Sequence, residues 1–235
     1  YRQAQASNIQ RIDPLILDLD GDGIETTHIN NSNAFFDLDL NGFAENTSWA
    51  KGDDGFLVLD RNQDGIINNA TELFGDRTLL NDGVTYASSG FQALAEYDDN
   101  QDGLIDAGDS IYSLLRVWQD ADGNGVSAAS ELKSLLDLGI VSIALSYLNT
   151  GITDAADNIQ VRVGEFTRTD GTTSAIGEYL FNRDTANSID EPIANLPPEI
   201  AELPNMQGAG NVASLHKAMA DDTSGDLQDL VEAFI

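Results

Sequence analysis

Residues 98–131 read DDNQDGLIDAGDSIYSLLRVWQDADGNGVSAASE, two aspartate-rich loops around an apolar stretch. A helix-loop-helix calcium site draws oxygens from loop positions 1, 3, 5, 7, 9 and 12. Position 6 is glycine, where the chain turns sharply, and position 12 is an acid that clamps the ion. The first loop supplies Asp98, Asn100, Asp102, the Leu104 carbonyl, Asp106 and Asp109, with Gly103 at the turn. The second supplies Asp120, Asp122, Asn124, the Val126 carbonyl and Glu131, with Gly125 at the turn and Ala128 leaving position 9 to water. The flanks have helical spacing: Phe91, Leu94 and Ala95 before, Ile111, Leu114, Leu115 and Trp118 between, and Leu132, Leu135 and Leu136 after, with Gly139 as a C-cap. The expectation is two complete loops sharing one helix, a paired EF-hand-like unit.

Three partial loops lie upstream. Asp60, Asn62, Asp64 and the Ile66 carbonyl start correctly, but position 12 is Thr71 and Glu72 comes one residue late, so the site needs a distorted loop or water. Asp18, Asp20 and Asp22 lack an acid at position 12, as do Asp37, Asp39 and Asn41, although Glu45 stands at position 9 of the latter. These two loops either bind ions with borrowed ligands, share one ion, or are Asx-rich turns between strands.

Composition narrows the function classes. Forty acids against 11 Lys and Arg give a formal net charge of −29. Self-repulsion of that size opposes compaction, bound Ca²⁺ relieves it locally, and folding is therefore expected to be coupled to metal. Nucleic acid and anionic membrane surfaces are poor partners for a chain without a basic patch. The absence of cysteine excludes disulfides and zinc-thiolate sites and suits an exported protein stabilised by calcium. No apolar run reaches the roughly 20 residues needed to span a bilayer. His28 and His216 are far apart and no nucleophile elbow is present, which argues against a conventional hydrolase, and Trp49 and Trp118 read as core.

Short strands are expected over Leu15 to Leu19, Ala34 to Leu38 and Phe56 to Leu59. Val141, Ile143, Leu145 and Tyr147 alternate, as do Ile159, Val161 and Val163, then Phe166, and Ser174 to Phe181 returns after a turn at 169–172. Residues 1–13 read as an upstream linker, 14–190 as the main module, 191–204 (EPIANLPPEIAELP) as a proline-punctuated linker and 205–235 as a small helical segment. Its apolar face is expected to pack on the main module or on sequence outside this chain. The first residues do not resemble a signal peptide, so any export signal is expected elsewhere. The fold class expected is α+β, with the EF-hand-like unit flanked by short strands and hairpins.

Asp13-Pro14 lies just before the first loop. An Asp-Pro bond is labile because the aspartate carboxylate can attack its own main-chain carbonyl to close a five-membered anhydride. The basic proline nitrogen is a good leaving group once protonated, and held geometry accelerates such an attack. A metal ion could hold that geometry or polarise the carbonyl. Asp39 and Glu45 are the acids that sequence proximity suggests for protonating the nitrogen.

The run DPLILDLDGDGIETT, followed in order by FFDLDLNG, DRNQDGIINNATELFG, YDDNQDGLIDAGD, VWQDADGNGVSAASELKSL and FTRTDGTTSAIGEYLF, resembles the self-processing module of FrpC-like RTX proteins secreted by Gram-negative bacteria. The resemblance covers roughly Asp13 to Asp190. It implies a secreted or cell-surface protein and a calcium-triggered cut between Asp13 and Pro14. It further implies capture of the activated aspartyl carbonyl by a lysine ε-amine of another chain or of the same one, forming an Asp-Lys isopeptide link. Lys51, Lys133 and Lys217 are the lysines of this chain. The alternative is a calcium-folded structural or adhesion spacer with an inert Asp-Pro bond. A sensor that opens a groove is disfavoured because the only methionines, Met206 and Met219, lie in the tail.

Overall fold

The computed structural model describes residues 13–190, 196–208, 210 and 212–235. The upstream linker up to residue 12 and residues 191–195 of the proline-rich linker lie outside the described residues. The chain is mainly β. In order it forms β1 (Leu15–Leu17), β2 (Thr26–Thr27), β3 (Phe35–Phe36), β4 (Phe43–Thr47), β5 (Trp49–Ala50) and β6 (Gly55–Val58). Helix α1 (Gly90–Ala95) leads to β7 (Leu104–Asp106), β8 (Arg116–Trp118), β9 (Leu132–Ser134) and β10 (Ile140–Ala144). Then come β11 (Leu148–Thr153), β12 (Ile159–Arg168), β13 (Thr173–Leu180) and β14 (Arg183–Asp190), and three short helices: α2 (Pro198–Ala201), α3 (Leu215–Asp221) and α4 (Asp226–Glu232).

Nine strands make one sheet in the order β7-β10-β12-β13-β1-β6-β8-β9, with β11 also paired to β12. Its pairings are antiparallel. Two small sheets, β14-β4-β3 and β2-β5, lie beside it. The central strands are continuous apolar runs because both of their faces are covered. Leu15, Leu17, Leu57 and Val117 enter one core with Phe74, Phe91, Ile105 and Ile176. Ile16, Phe56, Val58 and Trp118 enter the other with Phe36, Trp49 and Phe181. In the second core Trp49 stands 4.5 Å from Phe56 and edge-on to Trp118 at 5.4 Å, as expected for packed aromatic rings. Both tryptophans are core residues, as their surroundings in sequence suggested.

The α+β expectation with a paired EF-hand-like unit is overturned: no helix pair flanks the loops. The spacing Ile111, Leu114, Leu115, Trp118 does not mark a helix, since Leu114 is 59 % exposed and Val117 and Trp118 are adjacent yet both buried. Adjacent buried residues on opposite faces are the mark of a strand between two cores. Leu132 likewise begins β9, and Leu136 is 72 % exposed. Gly139 closes a turn, not a helix, with its N–H donated to the Leu136 carbonyl. β7, the second half of the Asp98 loop, pairs with β10 (Ile105 opposite Ile143) and not with the other loop. Only the helix before the loops forms, as α1, capped by Ser89 Oγ accepting from the Gln92 N–H.

The alternation at 141–147 also meets an irregularity. β10 shifts register between Ile140 and Ser142, which buries Ile140 and Ile143 and leaves Val141 at the surface. In the tail, Ile200 and Met219 are buried, whereas Leu230 and Phe234 of the expected apolar face are exposed. No helix among the described residues is long and apolar enough to cross a membrane.

Ile16→Ala removes a fully buried side chain from the strand between β13 and β6. Truncation of this kind costs about 2–5 kcal/mol. The variant should lower the thermal midpoint of the calcium-loaded protein by well over the scatter of repeat melts.

Candidate functional site

β1 carries the preceding residues inside. Leu15 lies opposite Glu178 of β13, the Pro14 carbonyl accepts the Tyr179 N–H at 3.3 Å, and the Leu15 N–H donates to the Phe74 carbonyl at 3.1 Å. The Asp13-Pro14 peptide is thus seated between β13 and the turn at 74–76. Asp13 is 6 % exposed. Its Oδ1 accepts the Asp76 N–H at 2.7 Å, and its Oδ2 lies 3.8 Å from Arg162 Nη1. That guanidinium is bonded more closely to Glu178 Oε2, at 2.7 Å, while Glu178 Oε1 accepts the Gly90 N–H at 2.6 Å. Gly75 backs onto the Asp13 carbonyl: a Cβ there would sit 3.0 Å from its oxygen and 3.3 Å from its carbon.

Burial, then the neighbouring charge of Glu178, pushes the Asp13 carboxyl up to about 9. The proton therefore favours the folded state. The stability this group contributes is complete below its ordinary 3.8 and is lost as pH rises to about 9. At neutral pH Asp13 is a buried acid beside a second carboxylate, and its own main-chain carbonyl is held by the fold.

The five acidic loops turn alike. Their position-6 glycines, Gly23, Gly42, Gly65, Gly103 and Gly125, have φ between +76° and +107°. Position 4 is left-handed too, and Leu40, Gln63 and Gln101 adopt it there without being glycine. Such residues are strained and cluster where surroundings over-determine them.

Closure of four of the loops is by one carboxylate each. Asp109 accepts the N–H groups of Asp99 and Asp106, at 2.8 and 2.9 Å. Glu131 accepts those of Ala121 and Ala128, at 3.1 and 3.0 Å. Each acid thus ties loop positions 2 and 9. Glu72 does the same for Arg61 and Asn68, at 3.0 and 2.8 Å, so its one-residue delay leaves the closure intact. The Asp18 loop has no such acid in sequence, but Asp54 supplies one from a distance, accepting the N–H groups of Leu19 and Glu25, positions 2 and 8, at 3.3 and 2.7 Å. Burial pushes Asp54 up to about 7.

Carboxylates gather within 4.8 Å of one another in three of the loops: Asp18, Asp20 and Asp22; Asp37, Asp39 and Glu45; and Asp120, Asp122 and Glu131. The Asp98 loop does not bring three carboxylates this close, although Asp98 accepts the Asp102 and Gly103 N–H groups as a first ligand does. These oxygen-rich sites have the hard-ligand chemistry of calcium. Asp120 is also tied to the core, since its Oδ2 accepts Trp49 Nε1–H at 2.8 Å.

Sequence reasoning missed Glu178, Arg162, Asp76, Gly75 and Asp54, each brought in by long-range pairing. Asp39 and Glu45 are engaged by Arg183, not by Asp13. Lys51 is paired with Glu25 and Lys217 with Asp221.

Comparison with known proteins places the chain in a family. The SPM domain model matches residues 15–182, and the chain belongs to that family of self-processing modules. It is 43 % identical over 223 residues to Iron-regulated protein FrpA of Neisseria meningitidis serogroup C. The match covers 94 % of this chain and 20 % of that protein, so the chain spans about a fifth of its relative's length.

Calcium is expected to change the tryptophan emission of this chain, and Asp120→Ala should abolish that change, because Trp49 loses its acceptor and the loop its first carboxylate. A titration of the variant with an unaltered spectral change would show that this loop is not read by the core.

Proposed function

We propose that the chain is a calcium-activated module that cuts itself between Asp13 and Pro14. The observation that carries this reading is the seat of that peptide: a buried Asp13 carboxyl, held by the Asp76 N–H and facing Glu178, beside a main-chain carbonyl pressed against Gly75. A carboxylate oxygen of Asp13 attacks the Asp13 carbonyl carbon. The bond to Pro14 nitrogen breaks, the nitrogen takes a proton, and a cyclic anhydride remains. Water opens it to a new C-terminus at Asp13, or a lysine ε-amine opens it to an isopeptide link.

Asp13 begins with the proton that the departing nitrogen needs. Glu178, opposite Leu15 in the sheet, takes it as attack begins and passes it on. Arg162 steadies Glu178 and balances the charge of the pair. Bound calcium supplies positive charge that offsets the acidic loops and fixes their backbone. The candidate ligands are Asp98, Asn100, Asp102, Asp106 and Asp109; Asp120, Asp122, Asn124 and Glu131; Asp60, Asn62, Asp64 and Glu72; and Asp18, Asp20 and Asp22 with Asp54 as the borrowed closing acid. The Leu104, Val126 and Ile66 carbonyls complete the first three sets, and Asp37, Asp39 and Asn41 belong to a fifth site. Calcium-rich secretion or display at the bacterial surface fits these loops.

Intact mass after adding a few millimolar Ca²⁺ to chelator-treated protein tests the reading. Fragments ending at Asp13 and starting at Pro14 are expected, with any joined product one water lighter than the hydrolysed fragment plus its acceptor. An unchanged mass despite calcium-induced structure sinks it. Asp13→Ala should stop cutting and still fold with calcium. Glu178→Gln should slow cutting on the order of 10²-fold, the usual worth of a positioned proton carrier. The rate should fall as pH passes about 9, where the shared proton leaves. A rate that keeps rising through that pH would replace proton sharing with an ionised Asp13 and another donor.

A further inference from the structure

Arg183 opens β14, opposite Thr47 of β4, and its side chain is 7 % exposed. It points into the Asp37 loop. Its Nη1 lies 2.5 Å from Asp39 Oδ2 and 3.8 Å from Glu45 Oε2. Asp37 is already oriented by the loop backbone, with Oδ1 accepting from Asn41 at 3.1 Å and Oδ2 from Gly42 at 2.8 Å. Glu45 is 1 % exposed; Oε1 accepts from Asn41 Nδ2, but Oε2 accepts no hydrogen bond. Asp39 Oδ1 is equally unserved, and Arg183 Nε and Nη1 have no aligned acceptor.

A guanidinium is a planar fork that normally engages a carboxylate through two parallel bonds. Here it lies beside a cluster of three carboxylates, misaligned toward Asp39 and Glu45, each of which keeps one oxygen without a hydrogen bond. The cluster needs a cation, but its geometry suits a sphere better than a fork. We propose that Arg183 and calcium compete for the Asp37 loop, with the guanidinium holding Asp39 and Glu45 at low calcium and yielding them when calcium enters beside Asp37. The charge of Arg183 is also felt at Asp76, whose Oδ1 is buried without a hydrogen bond. A displaced guanidinium has that carboxylate to turn to, and the Asp76 N–H is what holds Asp13. This last link, from the loop to the scissile bond, rests on the self-cutting reading; the competition does not.

Calcium titration of the full chain by calorimetry, with ions counted by native mass spectrometry, decides the matter. Removing a competitor that occupies most molecules raises apparent affinity in proportion. Arg183→Gln should therefore fill one site at about tenfold lower calcium, and adding Glu45→Gln should remove that ion. Arg183→Lys, which keeps the charge, should lie between wild type and Arg183→Gln. A half-saturation unchanged or raised in both Arg183 variants would overturn the competition and leave the arginine a structural cation. If binding shifts as expected, slower cutting of Arg183→Gln at saturating calcium supports the link to Asp76, and an unaltered saturating rate removes it. A chain that never cuts, yet shows the shifted binding, refutes self-cutting alone.

Discussion

The insertion of Leu15–Leu17 between β13 and β6 is the constraint on which the rest depends. With both faces buried, this strand has no freedom to place Pro14 and Asp13 anywhere but inside. The register that puts Leu15 across from Glu178 therefore also sets one carboxyl against another in a medium where neither is well solvated. Two buried acids close together are costly as two anions, and the cost is offset by retaining a proton and by a shared arginine. That pair's contribution to stability depends on the proton it keeps, and it sits beside a labile peptide bond.

What the sequence made legible was local. The short apolar runs became strands, Phe91 and Leu94 lie in a helix, the tryptophans went to the core, and the Asp-x-Asp-x-Asn/Asp-Gly loops took a common turn. The failures share one cause. Helical spacing over 111–118 was satisfied by a turn and a two-faced strand, which the same apolar residues serve equally well. Tertiary pairing chose between them, and nothing in residues 98–131 alone reveals that β8 lies between β6 and β9. Glu178 and Arg162 carry no signal in sequence, since an alternating β-hairpin is full of such residues.

The acidic loops show how a positional template can mislead. The twelfth residue matters because its carboxylate spans the loop and ties the backbone at positions 2 and 9. Glu72 meets that requirement from position 13, and Asp54 ties positions 2 and 8 of the Asp18 loop from the neighbourhood of another strand. A sequence scan scores both loops as defective, whereas the hydrogen bonds show them closed. The criterion is spatial closure by a carboxylate, and its sequence position is one way to achieve it.

That closure also connects one loop to the bond by a short route. Glu72 ties the Asp60 loop, and the chain continues directly through Leu73 and Phe74 to Gly75 and Asp76, which cradle Asp13. The Leu59 N–H donates to the Glu72 carbonyl and the Leu15 N–H to that of Phe74, so β6, the loop end and β1 are cross-linked within a few residues. An intramolecular attack profits from fixed geometry only while that geometry persists. A net charge of −29 opposes compaction of the chain, and cations bound in the loops would offset it. If the proposed attack is the reaction, its coupling to calcium needs no separate sensor. On the self-cutting reading proposed above, ions bound in the loops would favour the closed backbone and the inserted strand, which holds the Asp13 carboxyl buried beside Glu178 and the Asp13 carbonyl against Gly75.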